Sequence, residues 1–156
     1  MMDKPSKKRS TNKVNEIIGW REYIGLPEFG IPKLPAKIDT GARTSALHAL
    51  NQEVFNRDDE KWVSFWLKRP GQRKAERFET RIVDRRKIKN TSGDQELRLI
   101  IHTTLLFGRH KWGIDVSLAD RKRMEFDIIL GRTAIRGKNV LVHPGRSFLI
   151  DPAKRN

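Results

Sequence analysis

The sequence predicts an all-β fold: one partly closed β-barrel with a single short helix near the C-terminus. Short apolar and β-branched stretches recur along the chain, separated by Gly, Pro, Asn and Ser turn chemistry. No stretch sustains a 3.6-residue apolar period over several turns, so long helices are excluded. The 156 residues are 37% apolar and show no internal repeat, which suits one compact domain with its own core.

Residues 1–16 are polar and basic and lack the apolar centre of a signal peptide. They are expected to form a disordered basic leader ahead of a single domain spanning 17–156. Extended segments are predicted at Trp20–Ile24 and Lys33–Ile38, the second an apolar run feeding Asp39-Thr40-Gly41-Ala42. In that tetrapeptide Gly41 tolerates a close backbone approach that a Cβ would block, Thr40 offers a hydroxyl that can lock one turn against a twin, and Ala42 leaves room beside the carboxylate. Arg43–Asn51 reads either as a helical turn, because Ala46, Leu47 and Ala49 are good helix formers, or as a strand. Further strands are predicted at Lys61–Lys68, Arg77–Asp84, Glu96–Thr104 and Lys111–Leu118. Turns at Arg69–Gln72, Asn90–Asp94 and Phe107–His110 separate them. Phe126–Leu130 is a strand ending at Gly131, and Thr133–Gly137 has the length and glycine stop of a one- to two-turn helix. Val140–Val142 and Ser147–Ile150 complete the extended segments.

The formal charge is +14. The leader carries five basic residues against Asp3 and Glu16, a net +3, so +11 sits on the body. Such a field favours an acidic partner, either nucleic acid or a polyanionic peptide. There is no Cys, hence no disulfide frame and no thiol nucleophile, which fits a reducing cytosol. No apolar run approaches membrane-spanning length, and a soluble cytoplasmic protein is expected. His48, His102, His110 and His143 lack metal-ligand spacing, and no Gly-rich loop precedes a Lys-Ser/Thr pair, so neither a metal nor a nucleotide cofactor is expected.

The order of the motifs, Asp39-Thr40-Gly41-Ala42 early and Ile128-Ile129-Leu130-Gly131-Arg132 before a short helix late, resembles the retropepsins, the single-lobe aspartic proteases of retroviruses. It is more similar still to a bacterial branch of retropepsin-like proteins labelled ATP-dependent zinc proteases. The matching pieces are Gly19-Trp20-Arg21-Glu22, Ile38–His48, Ser92-Gly93 with Glu96 and Arg98, Leu118–Met124 and Leu130-Gly131-Arg132. They span Ile18 to Ile150. The resemblance implies a retropepsin-like barrel in which Arg43–Asn51 begins as strand, and an aspartic endopeptidase with Asp39, Thr40 and Gly41 as its catalytic turn. Only one such turn occurs, so the second carboxylate must come from a second copy across a two-fold axis. By order, the Asn90–Asp94 hairpin takes the place of the flap that closes over bound peptide. The implied substrate groove comprises Ala42, Arg43, Thr44, Arg85, Arg86, Ser92, Gly93, Gly131 and Arg132.

One departure from the viral pattern stands out. There the Arg after the Gly pairs with an Asp four residues beyond the catalytic Asp, and here that position is Arg43. Arg132 needs another partner, for which Asp127, Glu125 and Glu96 are candidates. Arg43 either points into the groove and favours Glu or Asp side chains near the cut, or pairs with an acid elsewhere. An acidic peptide or protein tail is therefore the expected substrate. If ATP matters, it acts through a partner, an ATP-dependent ligase that adds glutamate tails. Two rival classes remain: a nucleic-acid-binding basic barrel, for which Trp62 and Trp66 read more simply as core than as stacking faces, and a non-catalytic peptide-binding dimer of the same fold.

Overall fold

The computed structural model describes residues 16–89, 92–120 and 124–152. The basic leader lies outside the described residues apart from Glu16, which opens the first strand; Asn90 and Thr91 at the expected flap tip and Arg121–Arg123 lie outside them too. The strands are β1 (Glu16–Leu26), β2 (Ile31–Asp39), β3 (Ser45–His48), β4 (Leu50–Arg57), β5 (Glu60–Leu67), β6 (Glu76–Lys89), β7 (Gln95–Phe107), β8 (His110–Ala119), β9 (Ile128–Gly131) and β10 (Val140–Ser147). The helix α1 (Arg132–Ile135) follows β9 directly, and a 3-10 turn at Pro27–Phe29 links β1 to β2. No helix among the described residues is long and apolar enough to cross a membrane.

All ten strands join one sheet in the order β10-β1-β2-β9-β3-β8-β7-β6-β5-β4. A further pairing, Gly25 opposite Leu106, brings β1 onto β7 and bends the six strands from β1 to β7 in that order into a ring closed at a single residue pair. The all-β, retropepsin-like architecture with one short helix is as the sequence predicts. Side-chain alternation with period two fills the ring's interior. Leu34, Ala36 and Ile38 of β2, Ile101, Leu105 and Phe107 of β7, Val116 and Leu118 of β8 and Ile128 and Leu130 of β9 all belong to one buried cluster. Each fully buried Ile, Leu or Phe contributes on the order of 1.5 to 3 kcal/mol relative to exposure.

Four expectations are corrected. Arg43–Asn51 contains no helix: Ser45–His48 is strand, pairing parallel with β8 and antiparallel with β9, because Leu47 must reach the core from an extended backbone. β4 has no counterpart in the sequence reading, since its polar string with Val54 and Phe55 on the sheet's outer edge carries little apolar alternation. The expected strand Ser147–Ile150 ends at Ser147. Phe148 turns to positive φ (55°), and the N–H groups of Leu149 and Ile150 bond to the Glu22 carboxylate instead of a ladder. Finally, Trp62 and Trp66 stand on the outer face of β5. Val63, Phe65 and Leu67 fill the inward positions, which leaves Trp66 37% exposed.

Candidate active site

β9 lies between β2 and β3, so the loop 40–44 joining those two strands must cross the end of β9. Ile38 pairs with Leu130 and Asp39 with Gly131 in parallel register, while Ala46 and Leu47 run antiparallel to Ile129 and Ile128. The crossing is tight. A Cβ on Gly131 would lie 2.8 Å from the Thr44 carbonyl carbon and 2.9 Å from Ala42 O, so no larger residue fits there. Two hydrogen bonds fasten the loop to the start of α1: Arg132 N donates to Ala42 O (2.8 Å) and the Thr133 Oγ1 hydroxyl to Arg43 O (2.7 Å).

Asp39 leaves the end of β2 half-buried. Its Oδ1 accepts one hydrogen bond, from Gly41 N at 3.1 Å, and Ala42 N donates to its main-chain carbonyl at 3.1 Å. Thr40 and Gly41 form the exposed tip. A Cβ on Gly41 would meet only Asp39 Oδ1, at 3.3 Å, so the folded chain by itself does not demand glycine there as it does at Gly131.

Arg132 does not pair with Asp127, Glu125 or Glu96. Its Nη1 lies 3.4 Å from Thr40 O and 3.3 Å from Gly41 O and donates to both, clamping the Asp39–Gly41 turn through main-chain oxygens. Arg43 is exposed, and its side chain has no hydrogen bond or ion pair among the described residues. It opens onto a depression of about 470 Å3 lined by Ala42, Arg43, Thr44 and the β6 segment 86–89, with no acid in the lining. Of the two arginines expected from β6, Arg86 joins this lining. Arg85, one residue before it, does not. Arg86 is partly neutralised: its Nε donates to Asp84 Oδ2 (2.8 Å), and that contact holds the Asp84 carboxyl below its ordinary range. Ser92 and Gly93 sit on the hairpin between β6 and β7, whose last pair is Lys89 with Gln95; Gly93 adopts positive φ (91°).

Beneath the turn runs a buried polar chain that the sequence reading gave no role. Gly131 N donates to Ser45 Oγ (3.0 Å), Ser117 Oγ donates to Ser45 O (2.9 Å), and Arg98 Nη1 reaches Ser117 Oγ at 3.5 Å. All three side chains are at least 95% buried. The available signal was a serine at the head of the otherwise apolar stretch Ser45-Ala46-Leu47, where a buried hydroxyl requires a partner.

A more enclosed cavity of about 350 Å3 lies elsewhere, between Ile31, Leu34, Leu47 and Trp66, with His48 and Asp127 at its walls. It is mostly apolar and does not include Asp39. Among the described residues no three His, Asp or Glu side chains converge as a metal-binding set. The described residues therefore do not fit a zinc ion.

An Asp-Thr-Gly turn folded over a Gly-Arg strand end is the arrangement on which comparison with known proteins turns. The RimB-like family, described as retropepsin-like aspartic endopeptidase RimB, matches residues 17–153. The chain belongs to this family. Beyond the RimB-like match, it is 38% identical over 146 residues to a Desulfotalea psychrophila protein named probable alpha-L-glutamate ligase, covering 92% of this chain and 30% of that protein. Proteins of the same name from Shewanella halifaxensis (39% identity, 86% of this chain) and Parasynechococcus marenigrum (39%, 90%) are likewise matched over 30% of their length. The chain thus spans about a third of these relatives. A solved structure, a Legionella pneumophila protein of unknown function (DUF785), superposes with a TM-score of 0.73 at 29% identity, covering 87% of this chain and 98% of that one.

Proposed function

We propose that the protein is a homodimeric aspartic endopeptidase that cleaves acidic, glutamate-rich peptides, with one Asp39 from each copy forming the catalytic pair. The observation that carries this is the exposed turn at Asp39. Its carboxylate is held by a single N–H of its own chain, its glycine is not required by its own packing, and Arg43 beside it has no acid of its own. A glycine unused within the chain is accounted for if a twin turn packs against it.

In the dimer the two carboxylates stand too close for both to ionise, so they share one proton and titrate as a unit. The ionised member takes a proton from a water, whose oxygen attacks the peptide carbonyl. The protonated member donates to the carbonyl oxygen, giving a neutral gem-diol. Collapse of that intermediate returns a proton to one carboxylate and delivers one to the leaving amine, restoring the singly protonated pair. Arg132 is a positioning residue in this scheme, fixing the Thr40 and Gly41 carbonyls.

Substrate charge follows from the lining. Arg43 and Arg86–Lys89 present cations on one side of the turn without a competing acid in the wall. The relatives named for glutamate ligation carry the matching segment as part of a longer chain, which favours a glutamate tail of the kind such a ligase adds, and a cytoplasmic setting with the ligase as partner. The test is steady-state hydrolysis of matched glutamate-rich and glutamine-rich peptides by the parent and by Asp39→Asn. Cleavage of the acidic peptide by the parent alone supports the reading. Undiminished cleavage by Asp39→Asn, or loss of activity in chelator restored by zinc, overturns the mechanism. Tight nucleic-acid binding with no hydrolysis of any acidic peptide transfers the basic surface to the rival class.

A further inference from the structure

Two concave surfaces flank the catalytic turn, and both are lined by cations without an acid. One is the Arg43 depression. The other, of about 410 Å3, lies at α1 and is lined by Arg132, Ile135, Arg136, Gly137, Asn139 and Val140. Arg132 opens α1 and Arg136 follows its last residue, and both line this depression. Arg132 is fastened to the turn itself through the carbonyls of Thr40 and Gly41, which fixes its charge beside Asp39. Arg136 is exposed, and its side chain has no hydrogen bond or ion pair among the described residues.

We propose that the Arg132–Arg136 depression is a second carboxylate-binding subsite, and that an acidic peptide segment seated there bridges the two copies and drives assembly of the dimer. The inference rests on the dimeric reading above and adds to it a reason for assembly to depend on substrate. Two Asp39 carboxylates sharing a proton come to about 3 Å. Their turns then abut, which carries the Arg132 side chains bonded to those turns toward each other, and like charges repel over a screening length of about 8 Å at physiological ionic strength. Each copy brings the cations of Arg43, Arg132 and Arg136 to the surfaces beside the turn with no acid in either lining, so peptide-free association through the turns is opposed by like charge. A run of carboxylates supplies the missing anions on both sides at once. A neutral peptide does not.

The experiment uses the full chain carrying Asp39→Asn, which blocks turnover, and measures association by sedimentation equilibrium with oligo-glutamate, oligo-glutamine or a single-stranded DNA of matched charge. The expected result is a dimer dissociation constant lowered about tenfold or more by oligo-glutamate and unmoved by oligo-glutamine. Peptide-free association should strengthen with added salt, the sign of screened repulsion. Arg136→Gln should strengthen peptide-free association and weaken the oligo-glutamate effect, whereas Lys74→Gln on the distant β5–β6 turn, an equal change in net charge, should do neither. Equal response to the two peptides, a peptide-free dimer tight at low salt, equal effects of Arg136→Gln and Lys74→Gln, or a stronger response to DNA than to oligo-glutamate each overturns the proposal. The two readings fail separately. Peptide-driven dimers without hydrolysis by the parent would remove the protease and leave this inference, while hydrolysis by a peptide-independent dimer would do the reverse.

Discussion

Glu22 and Asp39 lie on neighbouring strands and have been given opposite surroundings. Glu22 is fully buried, and its two oxygens accept hydrogen bonds from three backbone N–H groups: Gly19 at 2.6 Å, Leu149 at 2.9 Å and Ile150 at 2.9 Å. Asp39 is half-exposed and accepts one. A carboxylate surrounded by fixed donors is a structural knot, holding the C-terminal segment onto β1 and consuming N–H groups that would otherwise seek a strand partner. A carboxylate with most of its hydrogen-bonding capacity unspent is available to a proton, a water or a second carboxylate. The difference separates an acid that maintains the fold from one left open to chemistry, although both stand in the sequence blocks that resemble the bacterial branch.

The sharpest way to break this contrast is Asp39→Asn. It should reduce hydrolysis by about 10,000-fold, since the pair loses both its acid and its base function. The unfolding free energy should shift by no more than about 0.5 kcal/mol, as for other exposed sites. Glu22→Ala should do the opposite at the level of the fold, costing about 4 kcal/mol in urea unfolding because three N–H groups lose their acceptor in a buried site. Comparable destabilisation by the two substitutions would erase the distinction. Next in size is Ser45→Ala. Gly131 N–H would lose its buried acceptor, which should lower stability by about 2 kcal/mol and loosen the turn beneath Asp39, read as a fall in kcat larger than any change in KM.

A smaller effect belongs to Arg43→Glu, which should remove the preference for glutamate-rich over glutamine-rich peptides, about tenfold in kcat/KM if one partly desolvated charge contact is lost. Equal rates for the parent on both peptides would return Arg43 to a purely solvent-facing role. The smallest effect concerns a third carboxylate, exposed but accepting two hydrogen bonds. Glu28 Oε1 accepts from Thr103 Oγ1 and Thr104 N, both at 2.7 Å, and chiefly the Thr103 hydroxyl holds its pKa below the ordinary 4.5. The folded value lies below the unfolded one, so this stabilisation is fully present above about pH 4.5 and is lost as pH falls through the folded value. Glu28→Gln should therefore cost under about 1 kcal/mol at pH 7 and flatten the acid limb of a pH series of urea midpoints.

Much of this was legible in the sequence. The two motifs and the period-two alternation of Leu34, Ala36 and Ile38 announce the Asp39 turn and its supporting strand, because tight crossings need glycine and buried strands need alternation. The partner of Arg132 was not legible, for main-chain carbonyls leave no trace in residue identity. Nor were the N–H groups of Leu149 and Ile150, whose apolar side chains read as strand while their backbone serves Glu22 across the fold. Trp62 and Trp66 misled for a related reason: five apolar residues in six positions of β5 hide which alternate set faces inward.

The seam at Gly25 and Leu106 has a mechanical meaning. Around the ring most neighbouring strands are joined by ladders of several residue pairs, but β1 meets β7 at one. β7 carries one leg of the hairpin and β1 braces β2, which carries Asp39. Prising the two apart at that seam breaks one backbone pair instead of a zipper of them, so the ring opens most readily there, at the end of β7 remote from the Lys89–Gln95 pair and beside the start of β2 rather than its Asp39 end.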